Sequence, residues 1–227
     1  MAGIEVTDDP DRFGEAIRQF RKRVPVPESV WDAMVEQERE FAFKVSGVAQ
    51  ADLVADAWEA IDRAIKDGTT LDDFKREIGE RLEAAWGGED AARLETIFRT
   101  NTLGAYNAGR HEIFTHPAVK KSRPYWRFDD VDDNRECDIC SPAHGTVLPA
   151  DDPFWADFHP PLHFSCRCQI TPLTPDEAED EGIDDEAPDV EADDGFGAPP
   201  TVGGDWEPDI SKYPDSIAEI LQDRLES

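Results

Sequence analysis

Apolar residues at helical spacing dominate the first half of the chain. The clearest run is "QADLVADAWEAIDRAIKDG", where Leu53, Ala57, Ile61 and Ile65 fall at steps of four, Val54 and Trp58 widen the stripe, and Gly68 follows as a stop. In "TTLDDFKREIGERLEAAWGG", Leu71, Phe74, Ile78 and Leu82 make one face, and Thr70 with Asp73 forms a capping box with Asp in place of Glu or Gln. Residues 91 to about 114 predict one further helix or a broken pair, carrying Leu94, Ile97, Phe98 and Tyr106. Upstream, "FGEAIRQFRKR" is a short helical candidate within an otherwise extended lead-in. Pro25 and Pro27 stop it, and Val30, Met34, Phe41 and Val45 then recur at helical spacing up to Gly47. Stripes of this kind are core faces first and cofactor surfaces rarely.

The texture changes after Pro117. "PYWRF", "GTVL" and "CQITPL" are short runs of aromatic and branched residues separated by Asp, Asn, Gly and Pro turns, which predict strands. Beyond Pro175 the pattern lapses into dense acid and "GFGAPPTVGGD", then recovers in "YPDSIAEILQDRLES". There Ile217, Ile220, Leu221 and Leu225 line one face of a short helix, which needs a partner surface because about 11 residues are marginal alone. The expected fold class is α+β. A lead-in (1–27) precedes a helical region (28–116), a small β-rich lobe carrying a Cys/His cluster (117–175), an acidic, flexible linker without fixed structure (176–209), and a C-terminal docking helix (210–227).

Charge changes what this fold is expected to do. The 227 residues carry a formal charge of −29, and 176–209 holds fifteen Asp or Glu with no Lys or Arg. Residues 1–175 still hold 33 acidic against 21 basic residues. A broad phosphate-binding face is therefore not expected, because affinity for nucleic acid rests on Lys and Arg displacing counterions. No apolar stretch approaches the ~18 residues that span a membrane, and the start lacks the apolar run of a signal peptide. The expected compartment is the cytosol, where thiols stay reduced.

All four cysteines and three of the five histidines fall in "CDICSPAHGTVLPADDPFWADFHPPLHFSCRC". Cys137 and Cys140 form a C-x2-C knuckle, and His163, Cys166 and Cys168 form H-x2-C-x-C. Five candidates for a four-ligand tetrahedral zinc site give either three cysteines with one histidine or four cysteines. Metal-free packed thiols, disulfides between the knuckles, and a catalytic thiol are the alternatives, the last opposed by acidic surroundings. His144 reads as a turn residue and His159, before Pro160-Pro161, as an exposed one. His111 and His116 sit near a helix end, where the dipole favours imidazolium. The acidic "DDVDDN" lacks the glycine and distal glutamate of a calcium loop and reads as a solvated turn. A zinc-dependent nuclease or DNA-binding module would need a general-base histidine and basic backbone contacts. Arg123, Arg127, Arg135 and Arg167 are the local supply.

Four blocks in order, "IFRTNTLGAYNAGR" (97–110), "PYWRFDDVDD" (124–133), "HGTVLPADDPFW" (144–155) and "PPLHFSCRC" (160–168), resemble the Mu F-like minor head proteins, also called phage head morphogenesis proteins. "AFKVSGV" and "AIKDGTTLDDFKREI" resemble that family's upstream helices, so the likeness covers roughly residues 28–175. It implies a non-enzymatic minor capsid component of a tailed phage or prophage. Such a protein is portal-associated, present in few copies per virion, and acts in head morphogenesis with a part in DNA packaging or ejection. The implied partners are portal, scaffold and major capsid protein, without membrane or sequence-specific nucleic acid. The implied location is the virion head, assembled in the host bacterial cytoplasm. The matched positions are Arg99, Thr100, Asn101, Tyr106, Arg110, Cys166 and Cys168, none of them catalytic in the family. Some relatives carry a fused toxin or transferase domain after the head domain, and here only the acidic segment and short helix follow. Many relatives lack the C-x2-C, so a structural zinc on Cys137, Cys140, His163 and Cys166, with Cys168 as alternate, belongs to a subset.

Overall fold

A computed structural model of the chain describes residues 14–34, 42–131, 137–200 and 222. The predicted helix face of Ile217, Ile220, Leu221 and Leu225 lies outside the described residues.

The first half is a helical layer. It contains α1 (Gly14–Arg21), α2 (Glu28–Ala33), α3 (Ala51–Asp67), α4 (Leu71–Phe74), a π-helical turn (Lys75–Gly79), α5 (Glu80–Trp86) and α6 (Ala91–Thr115). Helix α3 ends as its sequence predicts. Gly68 takes a left-handed φ of 69° and returns its N–H to Ala64 O. The Thr70–Asp73 capping box forms in both directions at α4. These helices bury Phe20, Trp58, Ile61, Ile65, Phe74, Ile78, Leu82 and Leu94 in one core.

Residues 91–115 form a single helix, so the broken-pair alternative does not arise. The run from Val30 to Val45 is different: α2 stops at Ala33, and Ala42–Phe43 is an extended strand β2 beside β1 (Val24–Pro25), paired in parallel. Here tertiary pairing overrides helical spacing. Val26 donates to Phe43 O at 2.8 Å, and Phe43 and Val45 enter the core from an extended backbone.

The second half begins with α7 (Pro117–Ser122) and builds an antiparallel sheet in the order β4-β3-β5 from β3 (Tyr125–Asp129), β4 (Val147–Pro149) and β5 (Gln169–Leu173). All three correspond to runs of strand-forming residues in the sequence. Trp126 and Phe128 alternate inward from β3 onto a second core with Phe114, Leu148, Trp155, Phe158, Leu162 and Ile170. Helix α8 (Phe154–Asp157) turns the chain back toward the cysteines.

Past β5, α9 (Pro175–Glu181) starts with a second capping box, Thr174 with Glu177, and Arg123 holds Glu177 at 2.7 Å. Residues 184–200 then follow the lobe surface. Asp184 N–H donates to Val147 O at 3.0 Å, Asp193 N–H to Leu162 O at 2.9 Å, and His159 N–H to Gly197 O at 2.7 Å. Acidic composition masks this course. The few apolar residues among the charges, Val190 and Ala192, pack on the second core, and Phe196 sets its ring edge-on to Phe164 at 5.0 Å.

Helix α6 joins the two cores and also receives α1. A Cβ on Gly109 would lie 2.5 Å from the backbone nitrogen of Ala16, so the two helices touch at a point where only glycine fits. Gly109→Ala is expected to push α1 off α6 and cost about 1–3 kcal/mol. A thermal melt checks this, with a Tm equal to the unsubstituted protein counting against the close approach.

Candidate metal centre

The cysteine window folds into two overlapping clusters that share Cys140. Cys137, Cys140 and His163 form one and Cys140, Cys166 and Cys168 the other, with ligand atoms within 4.8 Å of one another in each. Each of the five sequence candidates thus belongs to one cluster or the other. All four cysteines are free thiols in this arrangement.

Local backbone sets up each ligand. The C-x2-C knuckle turns so that Cys140 N–H donates to Cys137 Sγ at 3.2 Å, the N–H···S bond that stabilises a bound thiolate. His163 Nδ1 lies 2.8 Å from Phe164 O. A carbonyl only accepts, so the ring proton sits on Nδ1 and the lone pair is left on Nε2. That Nε2 lies 3.1 Å from Cys137 Sγ and 3.2 Å from Cys140 Sγ. Cys168, in the second cluster, also donates its thiol to Asp130 Oδ1 at 3.2 Å. The Cys166 thiol is pulled down, first by its hydrogen bond with Cys140. Cys140 is pushed up by that same bond and Cys168 by its own with Cys140. Sulfurs this close share one negative charge unless a cation joins them. Each cluster offers three soft or imidazole donors that could hold a metal ion, and the two share Cys140.

Helix α6 supplies the frame. Ser165, at a left-handed φ of 58°, donates its N–H to Thr100 Oγ1 at 2.9 Å. Asn107 Nδ2 donates to Cys168 O at 3.0 Å, and the Arg110 guanidinium to Ile170 O at 2.9 Å. Three polar residues on one helix thereby hold the backbone of the Cys loop and the start of β5. Asn107 was not a sequence candidate; its signal is an amide in mid-helix, a place asparagine avoids unless its side chain has a fixed partner. Arg99 pairs with Glu95 at 2.6 Å, and Asn101 bonds back to Ile97 O at 2.8 Å, so these two matched positions do not reach the loop in the described bonds.

The remaining histidines separate clearly. His144 accepts from Asp130 N–H at 3.1 Å, as a turn residue would. His159 is a correction: it is 2% exposed rather than at the surface, because the strap of residues 184–200 covers it. Its ring stands perpendicular to that of His111, with centroids 4.6 Å apart, among Phe114 and Trp126. His111 is likewise buried within α6 and neutral, so the expected imidazolium–dipole contact does not apply to it. Asp129 is held by Arg127 and Thr171, while Asp132 and Asp133 lie outside the described residues.

Among the described residues no helix is long and apolar enough to cross a membrane. No solved structure matches the chain. It is 29% identical over 177 residues to protein F of Escherichia phage Mu, which is named for capsid assembly; the match covers 70% of this chain and 40% of the Mu protein. It is also 29% identical over 157 residues to the Mu-like prophage FluMu F protein of Haemophilus influenzae, covering 63% of this chain and 37% of that one. The chain therefore spans about two fifths of the length of these relatives. The family model described as Phage Mu protein F like protein matches residues 56–171, which take in α6, the whole cysteine window and most of β5, and the chain belongs to that family.

Proposed function

We propose that the chain is a non-enzymatic minor head protein of a tailed phage or prophage, binding portal and other head proteins during capsid assembly. What supports this reading, beside the family, is how the signature residues are used. Thr100, Asn107 and Arg110 each bond the backbone, at Ser165, Cys168 and Ile170 respectively. Internal bonds of this kind stiffen a lobe. The lobe would then be a rigid element whose outer surface meets other proteins.

In this reading one zinc ion staples the lobe through Cys137, Cys140, His163 and Cys166. The preference for Cys166 over Cys168 rests on Asp130: a Cys168 thiolate would face a carboxylate oxygen at 3.2 Å, whereas a Cys168 thiol donates to it. The acidic segment adds a negative surface that repels packaged DNA or engages a basic partner.

Co-expression with the portal protein of the same phage tests the assembly role. Recovery of this chain with the purified portal ring, and no shift of duplex DNA by zinc-loaded protein at low salt, is the expected result. Salt-sensitive DNA binding, with cleavage lost on His163→Ala, would favour the zinc-dependent nuclease or DNA-binding module instead.

A further inference from the structure

A groove of about 360 Å³ runs between α1, α6 and the Cys loop, with Ala16, Leu103, Tyr106 and Ile113 as its apolar wall and Arg110 and Arg167 at its side. Ile113 is 50% exposed there, so the apolar wall of the groove reaches the surface. We propose that the occupant of this groove is the chain's own segment 213–225, "YPDSIAEILQDRL", docked as a helix with Ile217, Ile220 and Leu221 against Ile113 and Leu103.

Three observations favour this occupant. The first is reach. The described chain arrives at Pro200 in a second groove on the same helix, beside Thr100, Gly104 and Ala108. The thirteen residues from there to Tyr213 span about 20 Å as a flexible coil, against a helix diameter of roughly 10–12 Å. The second is effective concentration. A tether of that length holds the segment at about millimolar concentration, ahead of any free partner of equal affinity. The third is charge. Asp215, Glu219 and Asp223 outnumber Arg224 in the segment, while Arg110 and Arg167 outnumber Glu15 in the groove. A helix of about 11 residues does not persist in water without such a surface. The docking does not depend on the head-assembly reading. If both hold, the segment's apolar face is hidden from other head proteins until one competes for it.

Hydrogen exchange read by mass spectrometry on the full chain tests this. Amides of 217–225 are expected to exchange at least tenfold more slowly than a coil of the same sequence, equally at two protein concentrations tenfold apart. Ile113→Asp should return them to the coil rate. Ile183→Asp, the same change at another exposed isoleucine, should not. Leu221→Asp, which lies in the segment and leaves the groove intact, should also return them to the coil rate. Coil-like exchange in the unsubstituted protein, or protection that survives both Ile113→Asp and Leu221→Asp, would overturn the proposal. Protection that fades on dilution would do so too, by assigning the groove to a second copy.

Discussion

Stripping metal from the purified protein is expected to lower its Tm by about 8–16 °C. An ion present at a thousand times its Kd contributes about 4 kcal/mol, and a chain of this size moves by about 2–4 °C per kcal/mol. The lobe is exposed to this loss because Cys140, Cys166 and Cys168 are themselves members of its core. If an ion binds there, its removal leaves three buried sulfurs close to one another without the cation that joined them. Elemental analysis should find one zinc per chain, with thiols that titrate only after chelation and denaturation. Cys140→Ser should abolish binding, because both clusters need that sulfur. Cys166→Ser should do the same, and Cys168→Ser should keep the ion. Four freely titrating thiols, together with a Tm indifferent to chelator, would show that the pattern is packing and end the metal assignment. Retention by Cys166→Ser and loss by Cys168→Ser would exchange the fourth ligand.

Acid is expected to destabilise the protein through a separate site. Burial holds His111 down at about 4, helped by Lys120, and His159 at about 3, helped by His111. Both values lie below the 6.5 of an ordinary histidine, so the unfolded chain takes up protons that the folded one refuses. Stability is therefore full above pH 6.5. It falls as pH drops through the window from 6.5 to about 4 for His111 and to about 3 for His159, at about 1.4 kcal/mol per pH unit for each imidazole. For His111 alone this amounts to about 3 kcal/mol. His111→Phe separates the effect from proton-driven loss of an ion, which would act on both proteins alike. Phenylalanine suits the aromatic surroundings of Phe114 and Trp126, and it removes an Nδ1 that has no hydrogen-bond partner. Its denaturation midpoint should match the unsubstituted protein at pH 7.5 and exceed it at pH 5. Parallel pH profiles for the two proteins would dismiss the imidazole as the cause.

What the sequence made legible was whatever a short window decides. The α3 stripe with its Gly68 stop, the Thr70–Asp73 box, the three strands and the gathering of five metal-type side chains all follow from spacing and turn chemistry. Long-range partners were the part it concealed. His159 looked exposed because two prolines follow it, and a segment from beyond α9 buries it. Val30, Met34, Phe41 and Val45 kept helical spacing, yet Ala42–Phe43 pair as a strand with Val24–Pro25. Asn107 looked like an ordinary helix residue until the carbonyl of Cys168, 61 positions away, came within 3.0 Å. The acidic segment hid a handful of apolar anchors among charges that dominate any average.

Helix α6 has a practical corollary for anyone dissecting the molecule. Its Leu94 and Ala105 belong to one core, and its last turn contributes Phe114 to the other. Between them, Thr100, Asn107 and Arg110 reach across to the Cys loop. A recombinant fragment ending at residue 116 would carry those groups with their acceptors gone, and one starting at residue 117 would lack the wall that closes its core. Neither piece inherits a complete interior, so limited proteolysis should spare the 91–115 stretch and release no stably folded half. Melting should likewise proceed as one cooperative event, with the helix acting as the shared beam on which both ends are hung.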